Sequence, residues 1–146
     1  MARTTTYSFL DMTGSLSHPT IGDYVFTGEG VGQITVTYAT ERTAHDVAAD
    51  GSVMVSKVAG NNGTITIECQ QTSAVHKWLL AWYNALWELP TSEWATTAIM
   101  MRNSSTGGHE YATGVSPQKI GDKPYHAQGA RVTWVLMAAD IVSSPV

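Results

Sequence analysis

The stretch Asp50 to Gln70, DGSVMVSKVAGNNGTITIECQ, decides the fold. Its second half alternates, with Ile65, Ile67 and Cys69 on one face and Thr64, Thr66, Glu68 and Gln70 on the other. That is the period of a strand buried on one side and wet on the other. In the first half, Val53 and Val55 share a face with Lys57, while Met54 and Val58 share the other with Ser56, so both faces are expected to be partly covered. Gly60-Asn61-Asn62-Gly63 between them tolerates positive φ. The stretch therefore predicts a hairpin, with the rest of the chain arranged around it as sheet.

The hairpin leads into one helix. Thr72 and Ser73 each offer a hydroxyl to the free amides of a first turn, and Pro90 stops the pattern, which places the helix at about residues 73–89. Val75, Leu79, Trp82, Leu86 and Leu89 recur at steps of four and three, a stripe that must face the sheet. Trp78, Tyr83 and Trp87 widen the apolar surface beyond that stripe. Trp78 and Trp87 are thus candidates for contact with another chain, with core packing as the alternative.

Elsewhere the pattern is mostly strand. Tyr7 to Met12 reads as an opening strand, and residues 13–32 as loop with a strand fragment at Tyr24-Val25-Phe26, because Gly14, Pro19, Gly22, Gly28, Gly30 and Gly32 punctuate it. Gln33 to Tyr38 alternates Ile34, Val36 and Tyr38 against Gln33, Thr35 and Thr37. Residues 39–51 read as a long connection holding Glu41, Arg42, Asp46 and Asp50, a candidate projecting contact loop, or else a solvated connection. Ala98 to Asn103 and Glu110 to Val115 predict a second hairpin turning at residues 104–108. Residues 117–128 read as loop with a brief strand at Lys119-Ile120. Arg131 to Ala138, apolar on both faces towards its end, predicts a central strand. The SSPV tail is expected to lie outside the core.

The 146 residues suit one domain, 1–146, with a core of its own. Neither a leader peptide nor a membrane-spanning apolar run is expected from the opening MARTTTYSF or from any later segment; synthesis in the cytoplasm follows. The single cysteine, Cys69, excludes an internal disulfide framework and sits on an apolar strand face. A net charge of -4 with 14% charged residues argues against a grip on nucleic acid by phosphate neutralisation. Few charges and five tryptophans suit a surface covered by other subunits.

No chemistry is assembled. His18, His45, His76, His109 and His126 stand in no metal-ligand spacing, and no metal or cofactor is implied. His45-Asp46 and His109-Glu110 are neighbours whose side chains point to opposite faces of a strand, so neither forms a base with its orienter. Gly28-Glu29-Gly30-Val31-Gly32 is not a GxGxxG sequence and opens no helix. No catalytic residue is expected, and the chain does not read as an enzyme.

The order of TYSFLD, ADGSVMVSKVAGNNGTITI, TSAVHKWLLAWYN, AIMMRNSSTGG and PYHAQGARVTWVLMAADI resembles the tail tube proteins of contractile-tailed bacteriophages over most of the chain. The resemblance implies a mainly β fold, a sandwich or barrel with one flanking helix. It further implies six copies closing into a ring through a continuous inner barrel, and rings stacking into a tube through which DNA is ejected. Sheath, baseplate and tape-measure proteins would be partners, and the tail of the virion the location. A wall past which a polyanion slides should carry no phosphate-binding cluster; Gln33, Thr35 and Thr37 are the lumen-facing candidates. The alternative is a small β-sandwich module recognising a peptide or sugar.

Overall fold

A computed structural model describes residues 3–145; Met1 and Ala2 of the opening stretch and Val146 of the tail lie outside the described residues. The strands are β1 (Met12–His18), β2 (Gly22–Thr27), β3 (Val31–Tyr38), β4 (Thr43–Val47), β5 (Val53–Lys57), β6 (Gly63–Gln70), β7 (Thr97–Asn103), β8 (His109–Pro117), β9 (Arg131–Ala138) and β10 (Asp140–Ser144). The helix α1 is Ala74–Glu88. A mainly β fold with one flanking helix is thus the architecture.

One antiparallel path runs β2-β1-β7-β8-β9-β6-β3, with β10 paired to β8, and β4-β5 forms a separate two-stranded sheet. The path folds into two layers because β8 serves both. Its first half pairs with β7 and β10, while Ser116 and Pro117 pair with β9. The break falls at Gly114, whose φ of 64° suits glycine; a Cβ there would stand 2.7 Å from that of Ala139, where the chain crosses from β9 to β10. Inward residues of both layers, among them Leu16, Ile99, Ile65 and Trp134, form one core. Among the described residues β2 and β3 end the path as edges and no closed barrel is found, so of the expected sandwich or barrel the open sandwich is the form present.

The expected hairpin at residues 50–70 does not form. Both arms are strands, but β6 has β3 on one edge and β9 on the other, leaving no edge for β5. β5 pairs backwards with β4 instead, Val47 opposite Val53 and Thr43 opposite Lys57. The turn is Ala48–Ser52, where Gly51 adopts φ 89° and Asp50 Oδ1 accepts the Ser52 amide at 3.0 Å. The Gly60–Gly63 segment ties the base of this arm to the body: Asn62 O accepts from Ala39 N, and Asn61 O from Ile141 N. The expected long loop at residues 39–51 therefore contains β4.

Three further expectations change. Residues 7–12 form no strand beyond Met12, since Phe9–Asp11 is a single 3-10 turn capped by Ser8. Residues 13–32 hold β1 where loop was expected, and the expected strand fragment at Tyr24-Val25-Phe26 lies within β2. Gly14 makes their pairing possible, because a Cβ there would meet the Phe26 ring at 2.4 Å. Lys119-Ile120 is not a strand; the segment is held to β9 by Gln118 N, which donates to Val135 O at 3.0 Å, and by a bridge between Asp122 and Thr133. The described residues of the SSPV tail stay outside the core, as expected, although the strand β10 that runs into it buries Ile141. By contrast β7, β8 and β9 match the expected second hairpin and central strand, and Ser73 caps α1 by accepting from His76 N.

The helix packs against the core of the sandwich. Its stripe of Val75, Leu79, Trp82 and Leu86 is buried, Trp82 donates to Thr97 Oγ1 of β7 at 3.0 Å, and Trp134 of β9 donates to His76 Nδ1 at 3.1 Å. Both sheets are thereby fastened to the same helix. His18 fastens a second corner: its Nδ1 accepts the amides of Thr20 and Ile21, and its Nε2 meets Glu93 O at 3.1 Å. His18 and His76 are both buried, a role that isolated histidines in a sequence do not announce.

Candidate functional site

Because strand neighbours alternate, the pairing register decides which side chains share a face. On the outer face of β3-β6-β9 the cross-strand rows are Gln33-Glu68-Thr133, Thr35-Thr66-Val135 and Thr37-Thr64-Met137. Gln33, Thr35 and Thr37 are exposed, and Ile34 and Val36 are packed inward against the core. Tyr38, expected inward, is 41% exposed at the margin, its hydroxyl bonded to Ser143 Oγ. The face is dominated by threonine. Its charges are Glu68 and, at the end of β9, Arg131, whose guanidinium lies against Gly32. One carboxylate and one guanidinium make no cationic cluster. The sequence announced the wet residues of each strand separately, but not that β3, β6 and β9 lay side by side.

The second feature is the β4-β5 arm. Every residue from 41 to 59 is exposed, so nothing among the described residues covers either face, contrary to the partial cover expected for Val53 to Val58. Asp46 pairs with Met54, and Asp50 occupies the tip. The Ser52 amide and hydroxyl hold the Asp50 carboxyl below its ordinary value. Glu41 and Arg42 lie at the base, where Arg42 O accepts from Val58 N. A two-stranded ribbon without a covering layer is marginal in water.

The two candidate tryptophans separate. Trp78 is half-buried, stacked on Tyr24 at 5.5 Å and on Trp82 at 6.2 Å. Trp87 is 71% exposed, edge-on to Trp94 at 6.2 Å. Among the described residues there is no cluster of His, Cys, Asp and Glu able to hold a metal ion, and no helix long and apolar enough to cross a membrane. Burial pushes the Cys69 thiol up, which disfavours the nucleophilic thiolate.

The fold is an open, mainly β sandwich with one flanking helix, an exposed arm and free sheet edges, the kind of edge that a strand of another chain can complete. The Bacteriophage PhiTE tail tube protein family model matches residues 4–144, and the chain belongs to that family. It is accordingly a structural tube-type component and not an enzyme. Among solved structures, the fold is similar to a chain of the anti-feeding prophage baseplate, with 13% identity, a TM-score of 0.65 and 98% and 97% of the two chains covered. It is also similar to a chain of the anti-feeding prophage cap, with 12% identity, a TM-score of 0.61 and 99% and 94% covered. A chain of the sheath–tube complex of an extracellular contractile injection system, in its extended state, gives 11% identity, a TM-score of 0.60 and 97% and 93% covered. At these identities the likeness is one of fold. No curated protein matches the sequence.

Proposed function

We propose that this chain, as a single tail-tube-like domain, is the repeating subunit of a phage tail tube: six copies close into a ring, rings stack, and DNA is ejected through the channel. The observation that carries this reading is the threonine face of β3-β6-β9. Hydroxyls hydrate the wall without trapping phosphates, and a near-balanced charge gives a polyanion no sites at which to pause. Gln33, Thr35 and Thr37 face the lumen. The arm, with Glu41, Arg42, Asp46 and Asp50, reaches a neighbouring copy or the next ring, where charges of both signs set register. Trp87 meets an adjacent subunit, while Trp78 serves mainly its own core. Sheath, baseplate and tape-measure proteins are the partners of the finished tube, and the virion tail is its location.

Negative-stain electron microscopy of the concentrated protein, alongside sedimentation at low and high salt, tests this reading. Rings or tubes with a central channel are expected. A stable monomer at every concentration and salt would overturn it and favour a binding module.

A further inference from the structure

Between β8 and β9 the chain lays a strap along an open sheet edge. β9 pairs with β6 over its whole length, but β8 pairs with it only at Ser116 and Pro117. Among the described residues, Arg131 to Val135 therefore meet no strand on their other side. Residues 118–130 run there instead, with Gln118 N donating to Val135 O at 3.0 Å and Asp122 bridging to Thr133. The side chain of Gln71 ties both ends of the returning loop, donating to Pro124 O at 2.6 Å and to Ala130 O at 3.1 Å. Gly121 is the single buried residue of the segment. A segment with so few buried contacts opens at a low free-energy cost.

Gly121 is also where the strap meets a titratable group. A Cβ on it would stand 3.0 Å from Trp134 Cδ1, so its backbone lies against the edge of the indole that carries Nε1, the donor to His76 Nδ1. Lys123, two residues further on, sets its positive charge against His76. The other elements around this imidazole add no second charge facing it. β6 brings Cys69, held as a neutral thiol by burial; β9 turns Arg131 towards Gly32; and Lys77 of α1 is exposed. Within the strap, Lys119 and Asp122 pair with each other at 3.4 Å and His126 is exposed.

We infer that residues 118–130 form an acid-released strap: a proton on His76 Nδ1 takes the acceptor from Trp134 and opposes the charge of Lys123, and the segment lifts off the β9 edge. An indole N–H only donates, so the protonated ring cannot keep that bond. Burial, and then Lys123, hold the His76 pKa below 6.5 while the strap is closed. Opening carries Lys123 away and admits water, so the open form binds the proton more tightly. Its population should grow as pH falls below 6.5, by at most about tenfold per pH unit for one proton, and level off below the lowered value. The uncovered edge is one to which a further strand can add. The device belongs to the single chain and does not depend on how copies assemble.

Hydrogen exchange read by mass spectrometry on the full chain, from about pH 7.5 to about pH 5, tests it, each rate being divided by that of an unstructured peptide at the same pH. Peptides covering 118–130 should lose protection over this range while those of β6 keep theirs. Lys123→Gln should flatten the loss, and His76→Leu should abolish it. A segment that stays protected throughout, or that loses protection no sooner than β6, overturns the inference. An undiminished loss in either variant does the same, and Lys123→Gln alone decides if His76→Leu does not fold.

Discussion

Trp134 Nε1 donates to His76 Nδ1 at 3.1 Å, joining β9 to α1 where both side chains are buried. An indole nitrogen only donates, so Nδ1 of His76 must be the unprotonated nitrogen. Burial first, and then the positive charge of Lys123, lower the pKa of His76 from its ordinary 6.5. In the unfolded chain the same imidazole takes up its proton near the ordinary value, so below 6.5 the unfolded state binds more protons. Stability should therefore fall as pH drops through 6.5 and level off once the lowered folded value is passed. Urea midpoints measured across this range should show that slope in the wild type and less of it in His76→Leu, even though the variant is weaker throughout. An unchanged slope would place the acid sensitivity elsewhere.

The helix gives three distinct outcomes. Leu79→Ala or Leu86→Ala removes a side chain at most 1% exposed and should cost about 2 to 5 kcal/mol in urea unfolding. Trp78→Ala breaks two ring stacks and should cost about 2 kcal/mol. Trp87→Ala should stay within about 0.5 kcal/mol of wild type and lower assembly instead. Loss of folding in Trp87→Ala, or full assembly, would contradict the surface role given to it.

Removing the arm, with residues 43–57 replaced by two glycines, should leave the melting transition within reach of wild type, because no residue from 41 to 59 is buried. Assembly should be lost. Sedimentation decides: tubes of normal length from this variant would make the arm a solvated ornament.

The strongest strands were legible because their alternation had a buried side to answer to. Ile65, Ile67 and Cys69 of β6 and Val132, Trp134 and Leu136 of β9 were read correctly, as was the stripe of α1. What failed was pairing, which is not local. Asp50-Gly51 is itself a strong hairpin signal, but Thr43–Val47 is too polar and too short to read as a strand, so the turn seemed to have no first arm. Gly60-Asn61-Asn62-Gly63 looked like a turn and serves instead as an anchor for the arm. β1 was hidden because its inward face carries Gly14, whose missing side chain admits the Phe26 ring, beside Met12, Leu16 and His18, while Ser15 and Ser17 face outward. The threonine face was half legible: each strand displayed its wet side, and only the register joined them.

On the proposed reading, Thr35→Lys or Thr37→Lys should fold and assemble, since both positions are exposed, but each ring would then carry a circle of added positive charge against the DNA. Particles built from such subunits should eject DNA more slowly, and high salt should partly restore the rate. Ejection at the wild-type rate would count against a lumenal position.

The most direct test is a cryo-electron microscopy reconstruction of the assembled protein at a resolution that places side chains. Thr35, Thr66, Thr37 and Thr64 should line a continuous channel, with Ile34, Val36 and Ile67 turned into the sandwich. A channel lined by Val25, Met100 and Tyr111, or an assembly with no channel at all, would contradict the account.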